Sequence, residues 1–365
     1  MPWKRIAVAT FLVLVVVTGA VYAGSARNVH FIDVRALGMG GAGVTTFEDF
    51  SAVMYNPAML ARAKFRLDIV NVQLRLGKDV TDMLKFYSDN QEVFDNFLDT
   101  TKEEQDKLLD GLAPYDDNWM GFGAYPLLGL TVPNYAVGIY GASDVEFKAD
   151  KGIFEPRIYI DGVADFVLTG GAAINLSRLL SLGMIPNNLY GGAALKIIKR
   201  YEIQELRLSA SDADLGTTLD TLIEDSKAGF GLDIGLLYEL IPGQVDLGAK
   251  VVDLLADIDG EKPPMLVNIG ASWRVMKRIL LAADWNDFFF HKGENVLNKL
   301  NFGGQVDIGS VLAARAGMGQ GYPSIGAGLN LGSFALDGAI YGIERGDAPG
   351  RDGDYNYAVR LKLGW

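Results

Sequence analysis

The sequence predicts an all-β protein, a single transmembrane antiparallel β-barrel of about fourteen strands. Three observations carry that expectation. Most of the 365-residue chain after Arg66 alternates apolar and polar residues with period two, the connections between these stretches are alternately tight and long, and the chain opens on an export signal and closes on an aromatic residue.

The opening segment comes first. Met1 to Ala23 has a short basic start at Lys4 and Arg5, an apolar run from Ile6 to Val17 and a small-residue stretch ending Val21-Tyr22-Ala23. This is the order of a secretory signal with cleavage after Ala23, and the run is shorter than the roughly 20 residues an uncleaved spanning helix needs. Losing Lys4 and Arg5 takes the net charge from −12 to −14, so the exported protein is strongly acidic. The long uncharged stretch Asn118 to Ser143 could pass for a membrane helix, but Pro126, Pro133 and its glycines would break one.

The alternation is clearest at the end of the chain. Tyr355, Tyr357, Val359, Leu361, Leu363 and Trp365 share one face, and Asn356, Ala358, Arg360, Lys362 and Gly364 the other. Leu300 to Ile308 and Met265 to Val275 read the same way. Strands are expected near 66–76, 119–130, 134–141, 155–172, 189–202, 228–240, 244–255, 265–275, 278–287, 297–308, 311–319, 323–331, 333–343 and 355–365, with a bulge where the phase slips between Ile69 and Val70.

The connections sort by parity. Pro133, Ile241-Pro242-Gly243, Met276-Lys277, Gly309-Ser310 and Gly332 mark tight turns. The intervening connections, such as Gly77 to Asn118, Ala142 to Phe154 and Ile203 to Lys227, are long and polar, although Asn175 to Asn188 is long where a tight turn is due. A soluble sandwich also alternates, but only a membrane barrel requires short turns at one end and long loops at the other. The terminal aromatic strand, with Tyr357, Leu363 and Trp365 outward, reads as a signal to the machinery that assembles outer-membrane barrels.

Composition excludes much chemistry. With no cysteine and only His30 and His291, thiolate sites and multi-histidine metal centres are absent, and no cofactor or metal is expected. The acidic balance argues against nucleic acid. His291, with Asp284 and Asp287 nearby, could compose an Asp/His pair, but it follows Phe288-Phe289-Phe290, an aromatic cluster suited to the membrane interface. The expectation is therefore a protein that is not an enzyme. Gly38-Met39-Gly40-Gly41-Ala42-Gly43 matches a dinucleotide fingerprint, yet the next candidate strand, Leu67 to Leu74, lacks the terminal acid that would hold a ribose.

A different match covers more residues. Arg35 to Ala61, RALGMGGAGVTTFEDFSAVMYNPAMLA, resembles the N-terminal segment of the long-chain fatty-acid transporter (FadL-like) superfamily, which includes PorV-type and TraF-like members. The resemblance rests on Gly38, Gly40, Gly41 and Gly43, on Glu48-Asp49-Phe50-Ser51-Ala52, and on Tyr55-Asn56-Pro57-Ala58; Phe50-Ser51 stands where relatives have Ala-Ser. It implies a fourteen-stranded barrel with residues 24–65 tucked inside as a plug, or hatch, and 66–365 as the wall. Gly38, Gly40, Gly41, Gly43, Asp49, Asn56 and Pro57 are then the hatch motif. A short helix over Phe47 to Met54, ended by Asn56-Pro57, is expected within it. The segment either gates the barrel or only packs its bottom.

The insertion 77–118 places Met83, Leu84, Tyr87, Phe94, Phe97 and Leu98 near helical spacing among acidic residues, which predicts amphipathic helices over the barrel mouth. They form either a lid that captures an apolar ligand or a solvated cap. Asp161, Asp165, Lys196, Arg200, Arg274, Arg360 and Lys362 mix signs and are expected to face a polar lumen with internal ion pairs, without a single-sign ring that selects ions. The implied role is passive uptake of hydrophobic small molecules such as long-chain fatty acids at the outer membrane of a diderm bacterium. The alternative is a PorV-type secretion accessory barrel that binds proteins. Expected partners are outer-membrane lipid and lipopolysaccharide, a hydrophobic ligand and the barrel assembly machinery. Glycine, 44 residues or about one in eight, is conspicuous, and Gly231, Gly235, Gly270, Gly303, Gly326 and Gly328 fall on the polar face of their strands.

Overall fold

The computed structural model describes residues 27–116, 118–150, 157–177, 188–209, 226–289 and 295–365. The export signal and His291 lie outside the described residues, as do the side chains of Phe94 and Leu98.

Fourteen strands close into one antiparallel barrel: β1 Arg66–Gly77, β2 Met120–Val132, β3 Tyr135–Asp150, β4 Arg157–Asn175, β5 Leu189–Ser209, β6 Ser226–Ile241, β7 Val245–Ile258, β8 Leu266–Met276, β9 Ile279–Trp285, β10 Leu300–Ile308, β11 Leu312–Gly319, β12 Tyr322–Asn330, β13 Phe334–Glu344 and β14 Gly353–Gly364. Each strand pairs with its sequence neighbours, and β1 meets β14 from Asp68↔Gly364 to Gly77↔Asn356. Closure leaves no edge strand, the condition for backbone to cross hydrocarbon. At the seam the Leu67 N–H donates to the Trp365 carbonyl at 2.6 Å and the Trp365 N–H returns to the Leu67 carbonyl at 2.9 Å.

Period two sorts the wall into a lipid side and an inner side. Along β14 the burial pattern alternates without a break, with Tyr357, Val359, Leu361 and Leu363 outward and Asn356, Ala358, Arg360 and Lys362 inward. Ile139 on β3, Leu195 on β5, Phe230 on β6, Phe302 on β10 and Ile325 on β12 continue the apolar outer belt around the circumference. Such a belt around a closed barrel is a membrane-spanning wall. Among the described residues no helix is long and apolar enough to cross a membrane.

Several boundaries differ from the sequence expectation. The β1 ladder skips Ile69, where the bulge is expected. β3 continues to Asp150 instead of ending near Gly141, and pairs with β4 through Asp150↔Arg157. Residues 143–150 are charged enough to read as loop, but beyond the membrane both faces of a hairpin meet water, and a partner strand is all they need. β5 likewise extends to Ser209. β10 starts at Leu300 because Val296–Lys299 forms a helical turn, α6, capped by the Asn295 side chain, which accepts the Leu297 N–H at 3.0 Å.

The segment before β1 fills the barrel. Asp33 caps the helix α1, Val34–Gly38; a second helix, α2, spans Ser51–Tyr55; and a 3₁₀ turn covers Pro57–Arg62. The helix expected over Phe47 to Met54 is thus shifted, and Phe47 to Phe50 lie outside it. Asn56 is extended, ends α2, and caps the 3₁₀ turn by accepting the Ala58 N–H at 3.1 Å. Phe50, Val53, Met59 and Leu60 form the main buried apolar cluster with Tyr125, Tyr140, Val167 and Leu237 of the wall.

Between β1 and β2 the chain forms α3 Val80–Asp89, α4 Gln91–Asp95 and α5 Lys102–Leu112, the last opened by a capping box between Thr101 and Glu104. Val80, Met83, Phe97, Leu108 and Leu112 bury together against Met120 and Ala149 at the long-loop end of β2 and β3. Leu84, expected on the same apolar face, is exposed instead. Its neighbour in sequence, Met83, takes the inward position.

Candidate functional site

The hatch divides the lumen into two cavities. The smaller, about 400 Å³, opens at the short-turn end and is lined by Arg35, Phe47, Glu48 and Asp49 of the hatch and by the turns at Gly309-Ser310 and Gly332. The larger, about 1230 Å³, lies on the long-loop side and is lined by Phe31, Leu37, Val53, Met54 and Tyr55 and by Tyr140 of the wall. Any axial path has to pass the hatch between them.

An ionic knot holds the hatch together. The Arg35 side chain donates to both Asp33 oxygens, from Nε at 2.9 Å and Nη2 at 2.6 Å, and to both Asp49 oxygens, from Nη1 at 2.7 Å and Nη2 at 3.1 Å. Ser51 Oγ donates to Asp33 Oδ2 at 2.6 Å, and the Asp33 N–H donates to the Tyr55 hydroxyl at 3.0 Å. The guanidinium lies 4.6 Å from the Phe47 ring centroid, and Phe47 packs edge-on against Tyr55. Burial by itself would raise the Asp33 carboxyl, but the charge and hydrogen bonds of Arg35, with Arg360 further off, outweigh it and lower it to about 2. The same contest between burial and Arg35 leaves Asp49 well below the usual carboxylate range. Both acids are ionised at neutral pH, and the knot is a closed set of charges.

The wall grips the hatch through small residues and carboxylates. Gly40 has φ +69°, and a Cβ there would collide with the Met318 carbonyl of β11; its N–H donates to Ser324 Oγ of β12 at 2.9 Å. Across the barrel a Cβ on Gly235 would strike Asn56 Oδ1, and one on Gly192 would strike the Pro57 backbone. Asn56 Nδ2 donates to the Leu236 carbonyl at 3.0 Å. Gly303 lies against the Met39 backbone. These glycines on the polar face leave room for hatch backbone, whereas Gly231 and Gly328 lie against wall side chains, Lys196 with Asp253 and Asp337 with Arg315. Asp284 of β9 accepts the Gly43 and Val44 N–H groups at 2.5 and 2.9 Å.

The residues singled out in the sequence are placed as follows. Gly38, Gly40, Gly41, Gly43, Asp49, Asn56 and Pro57 all lie in the hatch, but only Asp49 belongs to the ionic knot. Asp165 and Arg200 form a two-point pair at 2.7 and 2.8 Å. Lys196 meets Asp253 at 2.5 Å and Asp233 at 2.8 Å, and Asp161 takes Arg27 at 2.7 Å. Arg274 reaches Glu48 at 3.0 Å, Arg360 holds Asp337 at 2.6 Å, and Lys362 pairs with Asp68 at 2.5 Å. His291, one half of the conceivable Asp/His pair, lies outside the described residues; Asp284 serves the hatch amides, and Asp287 takes Lys299 at 2.6 Å. Sequence reasoning passed over Asp33 and Arg35 as site residues, and named Ser51 and Tyr55 only as members of the motif. The available signal was two charges, Asp33 and Arg35, in an otherwise small and apolar run leading into the glycines.

The fold and site define a plugged, fourteen-stranded transmembrane β-barrel. No protein-family model and no curated protein matches the chain. Among solved structures it is similar to the Pseudomonas putida toluene transporter TodX, with 12% identity over 92% of this chain and 99% of that one and a TM-score of 0.56. The deltaS2 mutant of the TodX monoaromatic hydrocarbon channel is similar over the same shares of both chains, with 12% identity and a TM-score of 0.54. At this identity the likeness establishes the shared fold, the one implied by the resemblance of Arg35 to Ala61 to the long-chain fatty-acid transporter superfamily.

Proposed function

We propose that this protein lies in the outer membrane of a diderm bacterium and mediates passive uptake of hydrophobic small molecules through the hatched barrel. The observation that carries the reading is the cavity of about 1230 Å³ on the long-loop side, surrounded by the wall, floored by the hatch and presenting Phe31, Leu37 and Met54 to an occupant among polar and charged side chains. Burial of apolar surface there supplies the affinity, and the hatch prevents an open aqueous pore. The toluene transporter named above, which shares the fold, supports this direction. Lipid and lipopolysaccharide contact the apolar belt, and the assembly machinery reads the strand that carries Tyr357, Leu363 and Trp365. Nothing among the described residues favours the protein-binding scaffold alternative.

The test is uptake of radiolabelled hydrophobic probes, toluene and 1-dodecanol, by cells expressing the protein and by matched cells lacking it, with binding to the purified protein measured in parallel. Faster entry together with binding is the expected result. Neither binding nor faster entry for either probe would sink the reading.

A further inference from the structure

We infer that the larger cavity accepts uncharged molecules and rejects the anion of the same hydrocarbon. This inference rests on the uptake reading and narrows its substrate class.

The argument is a charge census of the cavity wall. Among the described residues five lysine or arginine side chains line it, and each already holds a carboxylate. Arg75 holds Asp144 at 2.9 Å, and Arg27 holds Asp161 at 2.7 Å. Lys299 holds Asp287 at 2.6 Å. Lys196 and Lys250 share Asp233 at 2.8 and 2.9 Å, Lys196 also meets Asp253, and Lys250 donates in addition to the Met54 carbonyl. Six carboxylates line the same space, one more than the cations. The two not yet named are also engaged: Glu146 takes Arg345 at 3.1 Å, and Asp284 accepts the Gly43 and Val44 amides of the hatch.

A carboxylate ligand entering this cavity meets no uncommitted lysine or arginine among the described residues. To be paired it would have to take a cation from an existing ion pair and leave a protein carboxylate without its partner, and unpaired it would face a wall with more carboxylates than cations. An uncharged hydrocarbon, or one ending in a hydroxyl, disturbs none of these pairs. The ion pairs give the lumen its polar face and keep all of its positive charge committed. The fatty-acid anion, one substrate implied by the sequence resemblance, is therefore the wrong charge state for this site.

The experiment compares radiolabelled 1-dodecanol and dodecanoate, matched in chain length, for binding to the protein in lipid nanodiscs against empty nanodiscs, at about pH 9 where dodecanoate is ionised. Dodecanol is expected to bind, with dodecanoate at least about tenfold weaker. Binding of both with less than that difference overturns the inference and leaves the uptake reading standing. Binding of neither overturns both. Asp233→Asn is isosteric, still accepts the Asp253 N–H, and strips Lys250 of its carboxylate. The folded variant, verified by heat-dependent gel mobility, is expected to bind dodecanoate at least about tenfold more tightly than the parent. A folded Asp233→Asn without that gain also overturns the inference, and if the variant fails to fold, the comparison in the parent protein decides.

Discussion

Arg35 meets Asp49 in a two-point ion pair, Nη1 to Oδ2 at 2.7 Å and Nη2 to Oδ1 at 3.1 Å, which ties the start of the hatch to the turn before its second helix. The same guanidinium holds Asp33, so one side chain fastens two buried acids that are sixteen residues apart.

Arg35→Ala leaves buried Asp49 without its ion-pair partner and Asp33 with only the more distant Arg360. The hatch is expected to lose about 3–5 kcal/mol of local stability, while the wall, which is held by its own ladders, stays intact. Hydrogen exchange read by mass spectrometry should rise across residues 33–60 and remain slow in the strands. Arg35→Lys, which keeps the charge but not the fork, should fall between the parent and Arg35→Ala. Unchanged exchange in Arg35→Ala would show that the knot does not hold the hatch.

The knot also sets an acid limit. Folded Asp33 is lowered to about 2 and Asp49 is lowered further, while a free Asp titrates near ~3.9. A depressed carboxylate contributes its stability above the unfolded value and loses it as pH falls through the folded one. The knot's own contribution should therefore be constant from neutral pH down to about 5, weaken below about 4 and be lost progressively toward pH 2. Leak conductance in planar bilayers, compared between the parent and Arg35→Ala, isolates the knot, and the same acid onset in both would contradict it.

Close approach of wall and hatch predicts a contrast among glycine variants. Gly235→Ala drives a methyl into Asn56 and Gly303→Ala drives one into the Met39 backbone, whereas the nearest atom to a Cβ on Gly170 is the Ala136 carbonyl at 3.7 Å. The first two should cost about 1–3 kcal/mol and raise protease cleavage within the hatch. Gly170→Ala should be near neutral. Equal behaviour of all three would mean that the hatch does not rely on these approaches.

The outer wall makes its own prediction. Leu361 faces lipid on β14 next to inward Arg360 and Lys362. Leu361→Arg should cost about 2–4 kcal/mol of folding free energy in vesicles if it sits near the midplane, read by denaturant titration of the heat-resistant folded band. Deleting Trp365 removes both seam hydrogen bonds to Leu67 and should slow assembly severalfold in the same assay. Normal assembly without Trp365 would remove it from any signalling role.

How much of this was legible beforehand depends on the range of the forces involved. The strands, the bulge at Ile69 and the two sizes of connection follow from period-two patterning, because a lipid face and an inner face impose opposite demands on successive residues and leave their mark locally. The extension of β3 to Asp150 was not legible, since beyond the membrane that demand lapses and only the partner strand specifies it. The hatch was visible as a glycine-rich segment, but not its mechanism. Arg35 is one charge among many in the sequence, and Asp49 lies fourteen residues away from it.

The sequence by itself determined an exported, closed β-wall with a wet side, and it marked where small residues are needed. Only the tertiary structure decided that Asp33, Arg35 and Asp49 form one knot, that Gly235 exists to admit Asn56, and that every lysine and arginine of the larger cavity is already matched. The reason is physical: patterning reflects one residue's preference for lipid or water, whereas an ion pair or a steric fit exists only once chain closure brings residues far apart in sequence within a few ångströms of each other.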